Sequence, residues 1–133
     1  MEKKQPIGIF DSGIGGLTVA KAISTLLPNE QIIYFGDTAH FPYGDKSEES
    51  IKKYSKGISE FLLKQNCKTI IIACNTASSL ASSFLRSFLP DNLPLIDVIL
   101  PVAKFLQSSN YEKVGVIATK GTVGSGIYSK RIN

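Results

Sequence analysis

Short apolar runs, each too brief to be a helix, recur along this chain, and most are followed by a polar turn and then a helical pattern. The runs are Ile7-Gly8-Ile9-Phe10, Ile32-Ile33-Tyr34-Phe35, Thr69-Ile70-Ile71-Ile72-Ala73, Leu95 to Ile99 and Val114-Gly115-Val116-Ile117-Ala118. They are almost continuously apolar rather than alternating, as in strands covered on both faces. Between them, Leu17 to Leu27 reads as a helix with Val19, Ile23, Leu26 and Leu27 on one side, stopped by Pro28. A second helix begins at Ser47, a good cap with Glu48 and Glu49 in the first turn, and carries Ile51, Tyr54, Ile58, Phe61 and Leu62 at three- and four-residue steps. A third presents Ala77, Leu80, Ala81, Phe84, Leu85 and Phe88, and Pro101 to Gln107 makes a short fourth. Strand–helix alternation of this kind predicts an α/β fold, a parallel sheet flanked by helices.

That pattern describes a three-layer sandwich of flavodoxin-like or Rossmann-like type. Residues 124–133 begin a helical unit that Thr122, Ser125 or a neighbour would cap, so the chain reads as truncated within a second unit. A length of 133 residues, 43% hydrophobic and 20% charged, suits a globular protein with a real core. No apolar run approaches the length needed to span a bilayer, and the polar start, Met1 to Pro6, is no signal peptide. The two cysteines, Cys67 and Cys74, fit no zinc spacing, and the extended residues between them hold them too far apart for a disulfide. The expectation is a reduced, cytoplasmic protein without a metal site. The net charge of +4 is scattered, and Lys52, Lys53 and Lys56 share a helix with Glu48, Glu49 and Glu60. This is a solvated helix face, which argues against nucleic acid as a partner.

In a parallel sheet the loops after the strands gather on one edge, where ligands bind. Four of them are polar here. Asp11-Ser12-Gly13-Ile14-Gly15-Gly16-Leu17-Thr18 allows a ligand close to backbone N–H groups, though Asp11 or Ser12 capping a helix explains it equally well. Its G-x-G-G spacing is neither a dinucleotide fingerprint nor a P-loop. Phe35 to Gly44 is a long loop shaped by Pro42 and Gly44, in which Tyr43 offers a rigid ring with a hydroxyl. His40 in that loop is either an idle surface residue or the partner of a nucleophilic thiol. Ala73-Cys74-Asn75-Thr76-Ala77-Ser78 puts a thiol at a strand end, facing a helix N-terminus that lowers a cysteine's pKa. Asn75 and Thr76 beside it suit a carboxylate ligand, or simply cap the helix, and Cys74 itself is either reactive or a buried structural residue. The hydroxyls of Thr119 and Thr122, after the last run, could add contacts to an anion, although turn chemistry explains them nearly as well. Together the loops describe a pocket for a small carboxylate-bearing molecule next to one thiol and the Asp11 carboxylate.

The blocks at Asp11–Thr18, Tyr34–Thr38, Pro42–Gly44 and Ala73–Ser78, with Gly121-Thr122-Val123 and Ser125 and Tyr128 further on, resemble in order and spacing the signature of glutamate racemases. The likeness covers essentially the whole chain, and aspartate racemases share the Cys-Asn-Thr element but not the first loop or the Pro-Tyr-Gly segment. It implies cofactor-independent interconversion of L- and D-glutamate, with D-glutamate feeding peptidoglycan synthesis. Inverting a stereocentre takes a proton from one face and delivers another to the opposite face, and in this family two cysteines exchange the roles of base and acid. Cys74 matches the first of them, and Asp11 the carboxylate that assists that thiol or holds the substrate ammonium. Ser12, Pro42, Tyr43, Gly44, Asn75 and Thr76 match substrate-contacting positions. His40 stands where members often carry Arg or Asn, and Leu100 precedes Pro101 where many carry a glutamate. Family members are longer, with two similar α/β domains and a second cysteine in a later Cys-Thr-His motif that has no counterpart here. The resemblance therefore divides this chain into a first domain, residues 1–97, and the start of a second, residues 98–133, inactive alone. Members commonly dimerise, so a homodimer is the implied assembly. An aspartate or broad-specificity racemase, an anion-binding module without catalysis, and a thiol hydrolase using His40 are the alternatives.

Overall fold

The computed structural model describes residues 4–133, so the first residues of the polar Met1–Pro6 stretch lie outside the described part. Strands β1 (Ile7–Asp11), β2 (Ile32–Gly36), β3 (Thr69–Ile72) and β4 (Leu95–Asp97) form one sheet in the order β2-β1-β3-β4, with every pairing parallel. Helices α1 (Leu17–Leu26), α2 (Glu48–Lys64) and α3 (Asn75–Phe88) connect them, and α4 (Ile99–Gln107), α5 (Lys120–Ser125) and α6 (Ile127–Ile132) follow. The α/β fold expected from the apolar runs is the fold observed.

Period-two alternation divides each strand between two faces. Phe10, Ile70 and Ile72 turn toward α2 and α3 and join Ile51, Ile58, Leu62, Ala77, Ala81 and Leu85 in the larger core. Ile7, Ile9 and Ile71 turn the other way, onto Val19, Ala20 and Ile23 of α1. Ser47 caps α2 by accepting from the Ser50 amide, as its position predicts. Small residues line the seam between α2 and α3. Two of them, Ser55 and Ser59, bury hydroxyls that have no hydrogen-bond partner among the described residues. Among these residues no helix is long and apolar enough to cross a membrane.

Two readings of the sequence are corrected. Val114–Ala118 forms no strand: residues 113–119 have no regular structure, and Val114 is 44% exposed. A strand needs a neighbouring edge to satisfy its backbone groups, and no described strand pairs with this segment. The fourth strand also ends early and α4 starts before Pro101. Asp97 Oδ1 accepts the N–H groups of both Ile99 and Leu100 at 2.9 Å, which turns the chain into the helix at Ile99. Pro101 then sits in the first turn, where a missing N–H costs nothing.

Cys67 packs at the start of β3, buried, where a Cβ on Gly8 would come within 3.1 Å of its sulfur. Gly36 is tighter still, since a Cβ there would lie 2.4 Å from the Gly13 carbonyl oxygen. Gly57, on the exposed side of α2, would meet nothing within 4 Å. The same substitution should therefore have opposite signs. Gly36→Ala is expected to destabilise by about 1–3 kcal/mol, as overpacking does. Gly57→Ala is expected to stabilise by about 0.5–1 kcal/mol, as helix propensity dictates. Urea unfolding of both variants measures this, and equal effects would show that the first loop relaxes freely around Gly36.

Candidate functional site

The first three strands deliver their C-terminal loops to one edge of the sheet. Asp11 ends β1 with its carboxylate buried, and Oδ2 accepts the amides of Gly13 at 3.1 Å and Gly16 at 3.0 Å. The carboxylate thus shapes the glycine loop that leads into α1, whose own cap residue, Gly16, has no side chain to use. Tyr34 rises from β2 and donates to the Gly13 carbonyl at 2.9 Å. Burial above all, then the charges of Asp11 and Cys74, pushes its pKa up to about 12, so the phenol stays a donor.

Cys74 is the N-cap of α3 and its sulfur accepts the Ala77 amide at 3.4 Å. The thiol is 6% exposed. Its pKa is raised, chiefly because burial penalises the thiolate and also because Asp11 repels it. The Ala77 amide and Ser12, through hydroxyl and backbone, pull in the opposite direction and lose. The expectation that the helix N-terminus would give a low thiol pKa is corrected by this balance.

The second loop is built around Asp37, which the sequence reading did not single out. Its buried carboxylate accepts the Tyr43 hydroxyl at 2.6 Å and lies 2.9 Å from His40 Nδ1. His40 also stacks on Tyr54, with ring centroids 3.8 Å apart. Tyr43 is 1% exposed, and burial first, then Asp37, raises its pKa. Its hydroxyl therefore anchors the loop and is not offered to a ligand. Among the described residues no hydrogen bond joins His40 to Cys74, so His40 is not placed as the base of a Cys/His pair.

Residues far apart in sequence meet at the start of α3. Thr76 and Thr119 share a hydrogen bond of 2.8 Å, and Thr119 caps α5 through the Thr122 amide. Gly44 lies against Thr119, where a Cβ would be 3.1 Å from its methyl group. Tyr128 donates to Asn75 Oδ1 at 2.6 Å. Ser125, one of the expected caps, accepts the Ile127 amide at the start of α6. The structure thus brings Asp11, Ser12 and Cys74 together, and links Gly44, Thr76, Thr119 and Thr122 beside them. Pro42 sits exposed next to Tyr43. Asp37 and Tyr128 stood in the sequence only as members of the resembling blocks, with no role assigned to either, and the partner of Tyr128 lies 53 positions away. A cavity of about 740 Å³ opens between the Gly44–Glu48 loop and α5, and neither Cys74 nor Asp11 lines it. Among the described residues, no three His, Cys, Asp or Glu side chains converge as metal ligands.

Burial of the thiol has a measurable consequence. The folded state holds the Cys74 proton more tightly than the unfolded chain does, so stability falls as pH rises above the ordinary thiol value, about 8.5. In a Cys67→Ala background, the rate of Cys74 alkylation by iodoacetamide should rise with a midpoint above about pH 8.5. A midpoint below that value would show that the helix amides outweigh burial.

No family model matches the sequence. Individual proteins do. The chain is 45% identical over 129 residues to the glutamate racemase of Limosilactobacillus reuteri, covering 97% of this chain and 48% of that protein. Its structure superposes on glutamate racemase from Thermus thermophilus in complex with beta-chloro-D-alanine with a TM-score of 0.90 and 46% identity, covering 98% of this chain and 49% of that one. Glutamate racemase from Francisella tularensis in complex with D-glutamate matches with a TM-score of 0.90 and 47% identity, over 96% of this chain and 47% of that one. The chain spans about half the length of the relatives it matches. Over nearly its whole length, then, this chain is homologous to about half of a glutamate racemase.

Proposed function

We propose that this chain supplies one side of a glutamate racemase site, with Cys74 as one of two thiols that interconvert L- and D-glutamate. The observation that carries the proposal is the buried Cys74 thiol at the N-terminus of α3, in reach of Ser12 and under the field of Asp11, in a chain homologous to these enzymes. As a thiolate, Cys74 takes the Cα proton from one face of the amino acid. The electron pair left on Cα is delocalised into the α-carboxylate, and a thiol on the opposite face returns a proton, inverting the centre. In the reverse direction the thiols exchange roles, and no cofactor takes part. Asp11 holds the substrate ammonium or assists the thiol, and Ser12, Asn75, Thr76 and the Pro42–Gly44 segment receive the carboxylates, with Thr119 and Thr122 adding contacts.

The second thiol must come from polypeptide outside these residues. Cys67, the other cysteine, is buried at the opposite end of β3, against Gly8. Residues 98–133 are accordingly read as the beginning of a second α/β unit following a first unit of residues 1–97. The complete enzyme would supply D-glutamate for peptidoglycan in the cytoplasm, as a homodimer.

Hydrogen–deuterium exchange at the glutamate α-carbon tests this. Each enantiomer is incubated in D₂O, with this chain alone and with a form extended through the other half. The extended form should exchange and invert, its Cys74→Ser variant should lose nearly all of both, and the 133-residue chain should do neither. Turnover retained without Cys74 would sink the assignment, and inversion by the short chain would sink the requirement for a second thiol from outside.

A further inference from the structure

One long-range hydrogen bond at the thiol loop has no part in the chemistry proposed above. Tyr128 on α6 donates its hydroxyl to Asn75 Oδ1 at 2.6 Å. Asn75 is the first residue of α3, next to the cap residue Cys74, and its side chain is exposed. A primary amide has an acceptor end and a donor end. With Oδ1 taken by Tyr128, the Nδ2 group is turned the other way and has no partner among the described residues.

The phenol is itself held in place. Three residues on, Arg131 bonds Asp97 Oδ1 at 2.7 Å and the Ser82 hydroxyl at 3.4 Å, which ties α6 to β4 and α3. Gln107 on α4 donates to the Arg131 carbonyl at 2.9 Å. Burial, with Asp97 acting in the same direction, raises the Tyr128 pKa, so the hydroxyl remains a donor. The bond joins two side chains on an accessible surface, where it adds little to stability but removes a rotational freedom from the amide.

We propose that Tyr128 is a positioning residue for Asn75, fixing the carboxamide so that its two N–H donors are presented to a carboxylate entering beside Cys74. The proposal rests on reading this site as one for a carboxylate-bearing amino acid.

Two alkylating reagents with the same reacting carbon separate the possibilities. Iodoacetate carries a carboxylate and iodoacetamide does not. In a Cys67→Ala background, the ratio of their rates at Cys74 is compared with the ratio for a free small thiol. The parent chain should favour iodoacetate beyond the free-thiol ratio. Tyr128→Phe should lower the ratio about five-fold, the loss of one positioned hydrogen bond, while the iodoacetamide rate stays unchanged. Asn75→Ala, which leaves the phenol in place, should lower the ratio equally, and the double variant no further. An unchanged ratio in Tyr128→Phe, an equal fall in both rates, or a full Tyr128 effect in the absence of Asn75 would overturn the positioning role alone. A parent ratio no higher than that of the free thiol would overturn the carboxylate site and the positioning role with it.

Discussion

The site depends on the parallel pairing of β1 with neighbours on both sides. The register carries one step beyond the strands on each flank, with the Asp37 amide donating to the Asp11 carbonyl at 2.9 Å and the Ala73 amide to the Phe10 carbonyl at 2.8 Å. Three loops therefore leave the sheet at the same level. Because a parallel strand points all its C-terminal loops to one edge, the carboxylate of Asp11, the Asp37–Tyr43 pair and the Cys74 thiol end up as neighbours. Antiparallel pairing of the same strands would scatter them over both edges.

At Cys74 two effects compete, and their magnitudes decide the outcome. A helix N-terminus is worth about 0.3–1 kcal/mol at an exposed site, rising to about 2 kcal/mol in partly buried geometry. Burial of an ionisable group shifts its pKa by up to about 3–5 units, and each unit corresponds to about 1.4 kcal/mol. For a thiol that is almost fully enclosed, burial wins. The consequence for the proposed chemistry is coherent. A thiol with high proton affinity is unreactive toward solvent oxidants, yet once ionised it is a stronger base, which a weakly acidic Cα–H requires.

Much of this was legible in the sequence because it rests on local pattern. Continuous apolar runs indicated a parallel sheet, the three- and four-residue spacing of Ile51, Ile58 and Leu62 indicated the buried stripe of α2, and Ser47 marked its cap. The position of Cys74 after an apolar run was sufficient to place it at the sheet edge. What failed was whatever depends on a tertiary partner or on burial rather than on local pattern. Val114–Ala118 has strand composition, but a strand is a property of two segments, and composition cannot supply the second. The thiol pKa was misread because a local rule about helix ends carries no information on how deeply the surrounding loops bury a side chain. The Tyr43 hydroxyl was counted as available to a ligand, since nothing in the sequence shows that Asp37 claims it.

The last residues matter to a site centred on Cys74 because they orient the side chains beside it. The first turn of α3 presents Cys74, Asn75 and Thr76 from a rigid element, but backbone geometry alone does not orient their side chains. Thr119 takes the Thr76 hydroxyl and Tyr128 takes the Asn75 carboxamide, so two of the three are set by residues after α4. The third, Cys74, is held by the Ala77 amide of its own helix. A displacement of residues 119–128 would therefore leave the fold of the sheet intact while releasing Asn75 and Thr76. The orientation of the Asn75 and Thr76 side chains is thus set from residues 119–128, across the first turn of α3.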